Sequence, residues 1–151
     1  MNTDLITQVA EIEISYKPAI QPSERLEINT PDEAAKVFRS IWKLSLEHRE
    51  SFYALLLDRS NKLLGYLLVS VGGLTGTVVD PRIIFQTALK ANSCGVILAH
   101  NHPSGNPSPS DKDILLTRKL MEAGKFLDIQ VLDHLILFPG GYTSMANEGM
   151  V

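Results

Sequence analysis

The sequence contains a single cysteine, Cys94, among 151 residues. A disulfide framework is therefore excluded, because one thiol can pair only with another molecule. At this length a folded chain hides about 68–70% of the surface that its unfolded form exposes, so a core can form without cross-links. The composition, 44% hydrophobic and 21% charged, predicts one compact domain.

Long apolar segments and basic clusters are also absent. The most apolar runs, Tyr66–Val71 and Gly95–Ala99, are far shorter than the ~20 residues that a membrane span needs. Acidic residues interrupt the first 30 positions, where an export signal would need an apolar stretch. A net charge of -3 without a lysine or arginine cluster argues against a direct nucleic-acid partner. We expect a soluble, cytoplasmic protein with no membrane partner, and the oligomeric state stays open.

The alternation of apolar and turn residues predicts a mixed β-sheet packed by helices, in the order β, α, β, β, α, β, α, β. A composition shift at Gln21–Asn29 separates an N-terminal extension, residues 1–29, from a domain at residues 30–151. The predicted strands are Val9–Tyr16, Phe52–Leu57, Leu63–Val71, Gly95–Ala99 and Ile129–Phe138. Gly95–Ala99 is apolar throughout, which is typical of a strand buried on both faces in the middle of a sheet. Gly140–Gly141 then turns the chain toward a tail of limited pattern.

Three helix starts are predicted from capping residues. Thr30 with Pro31 and Glu33 forms a capping box with proline in the first turn, and Asp80 followed by proline repeats the signal. Ser110 opens the third helix after a loop rich in proline and glycine, and Gly124 is its expected end.

The chemistry is concentrated in the segment between the buried strand and the third helix. His100 and His102 stand two apart, so their imidazoles project from the same face of an extended chain. Two imidazoles suit a zinc ion, whose catalytic sites use three protein ligands and leave one position open. Asp111 and Asp113 could each supply the third ligand. We choose Asp113, because at the third helical position its side chain can fold back toward the loop.

At this point the residues resemble a known family. The sequence His-x-His, ten residues and then Asp, with Ser three residues before the Asp, is similar to the JAMM motif of JAB1/MPN metalloproteases. The longer run His100-Asn101-His102-Pro103-Ser104-Gly105 resembles the bacterial RadC branch, and the similarity extends from about Thr30 to Phe138. Such a resemblance implies a single three-layer-like α/β domain of JAB1/MPN (cytidine-deaminase-like) architecture.

The resemblance also implies roles for individual residues. His100, His102 and Asp113 would bind Zn²⁺, Ser110 would hydrogen-bond near the metal water, and a glutamate on an earlier strand would be the general base. We assign that base to Glu50, with Glu47 as the alternative. The expected activity is hydrolysis of a peptide or isopeptide bond in a protein or peptide, possibly a conjugate. Residues 1–29 do not resemble the helix-hairpin-helix segment of longer members, so the family's DNA-repair label gains no support.

Each assignment has a simpler alternative. Ser110 and Asp113 also form an ordinary helix-capping arrangement, and they can cap the helix and serve the metal site at the same time. Glu50 could be a solvated surface residue. His134, within an apolar strand, is expected to be a core or edge histidine with local hydrogen bonds; His48 is expected at the surface, and Cys94 is expected to act as a small apolar residue. Two other functions of the protein are left open, a non-catalytic interaction module and a DNA-repair or mobile-element accessory.

Zinc deaminases are excluded, because their Pro-Cys-x-x-Cys motif needs two cysteines.

Overall fold

The fold, in a computed structural model that describes residues 9–73 and 76–151, is a five-stranded mixed sheet with helices on both faces. The strands are β1 (Ser51–Leu57), β2 (Leu63–Val71), β3 (Gly95–Asn101), β4 (Gln130–Phe138) and β5 (Gly141–Ser144). The helices are α1 (Pro31–Ile41), α2 (Pro81–Lys90) and α3 (Asp111–Phe126), and a short 3-10 turn covers Pro22–Glu24. The predicted fold class is confirmed.

The strand order is β2-β1-β3-β4-β5, with β3 and β4 parallel and the other neighbours antiparallel. Strand β3 is central and buried throughout, which confirms the prediction for Gly95–Ala99, and burial extends to His100 and Asn101. A parallel pair needs a crossover between its strands. Helix α3 supplies it, so α3 begins near the sheet edge at which β3 ends.

The pleat of the central strands sends alternate side chains into two apolar cores. Even-numbered residues of β1 and β3 pack with α2 and α3 on one face of the sheet, whereas odd-numbered residues pack with α1 on the other. His100 is even-numbered, as is its opposite neighbour Phe52 on β1. The end of β3 therefore presents His100 on the same face as α3.

All three predicted helix starts are confirmed. Thr30 and Glu33 form a reciprocal capping box, as do Ser110 and Asp113, and the Asp80 carboxylate accepts the Arg82 N–H at 2.9 Å. These caps satisfy amide groups that the first turn of a helix would otherwise leave without partners. Within the described ranges no helix is long and apolar enough to cross a membrane.

The predicted strand at Val9–Tyr16 is wrong, because this segment has no regular secondary structure and no strand pairing. Val9, Ile12 and Ile14 are 73, 86 and 82% exposed, so their alternation covers no core. A segment with alternating apolar residues forms a strand only where another strand pairs with its backbone N–H and C=O groups.

Two other boundaries differ from the prediction. Gly124 does not end α3, which continues to Phe126; a Cβ at Gly124 would lie only 2.2 Å from the Ile129 carbonyl oxygen. The glycine thus permits a close approach of the chain that enters β4. The tail after Gly140 contains β5, which pairs with β4.

Cys94 is exposed, contrary to its expected apolar role, and His48 is exposed as expected.

Candidate metal centre

Two imidazoles meet where β3 runs into the following loop. His100 is 1% exposed, while the side chain of His102 retains 15% exposure. Their Nε2 atoms are 3.0 Å apart. Both rings therefore direct the same nitrogen toward one point at the rim of the sheet.

Helix α3 adds a carboxylate to this pair. The Oδ2 atom of Asp113 lies 3.3 Å from His100 Nε2 and 3.4 Å from His102 Nε2. The same oxygen accepts the Ser110 N–H at 2.8 Å, so the capping box holds the carboxylate in place. Asp111, the alternative third ligand, is exposed and does not belong to this group.

The three atoms form a triangle with edges of 3.0, 3.3 and 3.4 Å. Ligands placed 2.0–2.1 Å from a tetrahedral zinc ion would be about 3.3 Å from one another. His100, His102 and Asp113 thus have the donor types and the spacing to hold a divalent cation, with one tetrahedral position left over.

The charges of the group are coupled. Burial raises the pKa of Asp113, but hydrogen bonds with His100 and His102 together outweigh it and hold that pKa well below its usual range. The Asp113 hydrogen bond raises the pKa of His102, against the opposing effect of burial. Asp113 is therefore ionised at neutral pH and attracts positive charge, whether proton or metal ion.

The loop after β3 orients His102. Gly105, at φ +80°, closes a turn in which its N–H donates to the His102 carbonyl oxygen at 3.0 Å. The Asn106 carbonyl oxygen then lies 2.7 Å from His102 Nδ1. A carbonyl can only accept, so Nδ1 carries the proton and Nε2 is free to bind a metal.

A second buried histidine lies behind His100. His134 on β4 is 0% exposed, and its Nε2 is 2.7 Å from His100 Nδ1. The Thr117 hydroxyl lies 2.6 Å from His134 Nδ1 and donates to the Asp113 carbonyl oxygen at 2.7 Å. His134 is a buried, hydrogen-bonded histidine, as expected, but sequence reasoning missed that its partner is a candidate ligand. Burial lowers the pKa of His134 well below its usual value, so the ring is neutral.

Glu50 lies close enough to both imidazoles to interact with them electrostatically. Phe52 pairs with His100 at the end of the antiparallel register, and Glu50 lies two residues before Phe52, immediately ahead of β1. Glu50 is partly buried, whereas Glu47 is exposed. Burial raises the pKa of Glu50, electrostatic interaction with His100 opposes this, and the Asp113 carboxylate adds to it. The structure therefore brings Glu50 into the electrostatic field of all three ligands.

Asn101, between the two histidines, points to the other side of the strand and holds the segment that carries Glu50. Its side-chain amide donates to the carbonyl oxygens of Leu46 and Arg49, both at 2.9 Å, and its Oδ1 accepts the Ser51 N–H at 2.7 Å. Sequence reasoning missed this role. The available signal was an amide side chain that follows directly on the apolar run Gly95–Ala99, where we predicted a buried strand.

Ser110 lies at the mouth of the group. Its Oγ accepts the Asp113 N–H at 3.1 Å, and the residue is exposed. A hydroxyl oxygen that accepts still has its own proton to donate. Ser110 can therefore cap α3 and also present an O–H to a molecule bound beside the three ligands.

A mixed sheet with helices on both faces and a two-histidine, one-aspartate group at the end of a central strand defines a candidate metal-binding domain of the JAB/MPN type. A profile of the RadC-like JAB domain matches residues 28–150. The chain belongs to the RadC-like JAB family.

Curated relatives agree with this assignment. A UPF0758 protein of Methanosarcina mazei is 47% identical over 109 residues, which cover 72% of this chain and 48% of the relative. UPF0758 proteins of Syntrophomonas wolfei and Desulforudis audaxviator are 38% and 40% identical; they cover 91% and 93% of this chain and 63% and 61% of the relatives. The chain thus spans about half to two thirds of the length of the curated relatives that it matches.

Proposed function

We propose that the domain is a zinc-dependent hydrolase of peptide or isopeptide bonds, with a protein, peptide or conjugate as its substrate. The observation that carries the proposal is the triangle of His100 Nε2, His102 Nε2 and Asp113 Oδ2, whose edges match those of a tetrahedral zinc site. Glu50 beside that triangle adds a proton acceptor.

The ligand set favours zinc over other divalent ions. Magnesium and calcium prefer oxygen ligands, whereas two imidazoles and one carboxylate are a ligand set of zinc peptidases. When bound, zinc would supply a Lewis acid that polarises a carbonyl and makes water nucleophilic near neutral pH.

Glu50 is the candidate general base. Burial raises its pKa, which brings the carboxylate closer to the pH at which it can accept and return a proton. It would take a proton from the attacking water and deliver it to the leaving amine. Such proton transfer is worth roughly 10²–10⁴ in rate.

Ser110 is the candidate donor to the oxygen that becomes negative during the reaction. Its exposed hydroxyl lies beside Asp113, and its oxygen is oriented by the helix cap. A donor of this kind, already oriented, stabilises the developing charge without a further loss of freedom.

Metal content per chain tests the site. We expect near-stoichiometric zinc in the wild type and a value near zero in His100→Ala. His48→Ala is the matched control, because His48 is exposed and outside the group. Equal zinc in wild type and His100→Ala would remove the metal site from the proposal.

Glu50→Gln tests catalysis, with Glu47→Gln as the matched control. The assay is turnover of a panel of fluorogenic peptides and ubiquitin-like conjugates. We expect Glu50→Gln to retain zinc while its kcat falls by a factor of about 10²–10⁴. Glu47→Gln should keep both the zinc content and the kcat of the wild type. Zinc-loaded wild type that cleaves none of these substrates would favour a non-catalytic interaction module instead.

A further inference from the structure

The Nδ1 atom of His100, on the ring edge away from Asp113 and His102, faces the protein interior. It contacts His134 Nε2 at 2.7 Å, and His134 Nδ1 contacts the Thr117 hydroxyl at 2.6 Å. Thr117 in turn donates to the backbone carbonyl oxygen of Asp113 at 2.7 Å. We call this series of contacts the relay, and it runs from one candidate ligand, His100, to the helical turn that carries another, Asp113.

The last acceptor determines the direction of the hydrogen bonds in the relay. The Asp113 carbonyl oxygen cannot donate, so the Thr117 proton is used there and Thr117 Oγ1 must accept from His134 Nδ1. Met145 Sδ, at 3.8 Å from Thr117 Oγ1, is a weaker acceptor. A neutral His134 with its proton on Nδ1 has a bare Nε2, which accepts from His100 Nδ1. His100 then has no proton on Nε2.

We propose that Thr117 and His134 are positioning residues that hold His100 in the form with its Nε2 lone pair directed at the metal ion. The inference rests on the proposed zinc site and assigns two residues that are not themselves ligands. Histidines that bind metal commonly donate their other ring nitrogen to an oriented acceptor, which sets both the tautomer and the ring plane. Here that acceptor is a second imidazole.

The packing makes the relay rigid. His134 and Thr117 are both 0% exposed, so no water competes for their hydrogen bonds. The ring of Phe52 lies edge-on to His134 at 5.2 Å between centroids and is stacked with His100 at 6.0 Å. Since Thr117 and Asp113 are one helical turn apart on α3, the relay also links the ligand on the sheet to the ligand on the helix.

Thr117→Val and Thr117→Ser form a matched pair for testing the relay. Valine keeps the shape but removes the acceptor for His134 Nδ1–H, which frees His134 to place its proton on Nε2 and donate to His100. Serine keeps the hydroxyl. We expect Thr117→Val to weaken zinc binding by about 10- to 100-fold in competition with a chelator, and Thr117→Ser to bind zinc as the wild type does. Unfolding curves of the zinc-free proteins identify any variant that fails to fold.

The His134 tautomer in the zinc-loaded wild type is a test that needs no substitution. Imidazole ¹⁵N spectra should place its proton on Nδ1. A proton on Nε2 would overturn the relay, as would a folded Thr117→Val protein with wild-type zinc affinity.

His134→Gln and His134→Leu form a second matched pair. Glutamine can both accept from His100 and donate to Thr117, so we expect only the leucine variant to lose zinc affinity. Wild type that binds no zinc would overturn the proposed function itself, whereas zinc binding insensitive to both pairs overturns the relay alone.

Discussion

Replacement of Asn101 by alanine should loosen the segment that carries Glu50 and leave the three candidate metal ligands in place. Asn101 makes three hydrogen bonds to the segment between Leu46 and Ser51, and its side chain lies on the opposite side of β3 from the two imidazoles. Three neutral hydrogen bonds at a net value of about 1 kcal/mol each correspond to a loss near 3 kcal/mol in the free energy of unfolding. The loss falls to about 1 kcal/mol if water reaches the two carbonyl groups and only the Ser51 N–H stays unpaired.

The catalytic effect of Asn101→Ala should be larger than its effect on zinc. A displacement of about 1 Å can cost roughly 10²-fold in rate, so we expect kcat to fall by about that factor if Glu50 shifts with its segment. Zinc content should stay at the wild-type level, because the Asn101 side chain forms its hydrogen bonds with Leu46, Arg49 and Ser51 and with neither imidazole. Amide hydrogen exchange at Ser51 should quicken, which reports loosening of the segment without relying on activity.

The assays for Asn101→Ala are urea unfolding, zinc content, exchange at Ser51 and turnover. Asn147→Ala is the control, because Asn147 is exposed and is not in the site. If Asn101→Ala lost zinc together with activity, the assignment of Asn101 to the far side of the strand would be refuted. If its free energy of unfolding and Ser51 exchange equalled those of Asn147→Ala, the three hydrogen bonds would have no positioning role.

Three further predictions concern caps, packing and pH. Ser110→Ala and Thr30→Ala each remove a capping box, so urea unfolding should show a loss of about 0.5–2 kcal/mol in both, but only Ser110→Ala should also lower kcat. Gly124→Ala should lose about 1–3 kcal/mol, because its Cβ meets the Ile129 carbonyl oxygen, whereas Gly65→Ala, with open space, should unfold as the wild type does. Because Asp113 raises the pKa of His102, zinc-free protein should be stabilised by protonated His102 below pH 6.5 and lose that contribution as pH rises through the folded pKa; unfolding in chelator from pH 6 to 9 should show a decline that His102→Gln removes.

The structure bears out those predictions that depend on neighbouring residues in the chain. The capping boxes at Thr30 and Ser110, the hairpin of β1 and β2, and the buried strand β3 follow from local spacing and composition. The pair of imidazoles on one face follows from the pleat of a strand. The choice of Asp113 over Asp111 was predictable for the same reason, since the third helical position of a cap faces back toward the loop.

The predictions that failed concern contacts with distant residues. Val9–Tyr16 has the alternation of a strand but pairs with no strand in the described ranges, whereas Gly141–Ser144, with little pattern, pairs with β4. Strand formation needs a partner for the backbone N–H and C=O groups, and a pattern along one segment does not reveal whether a partner exists.

Sequence alone determined which donor atoms this protein brings to the end of β3 and how the helix that carries the third candidate ligand begins. Only the tertiary structure decided that His134 lies behind His100 and that Asn101 holds the segment before β1. Those contacts join residues 34 and 55 positions apart. Such contacts form only when the parallel pairing of β3 with β4 and the antiparallel pairing of β3 with β1 bring separate segments together, because hydrogen bonds act over about 3 Å whatever the distance along the chain.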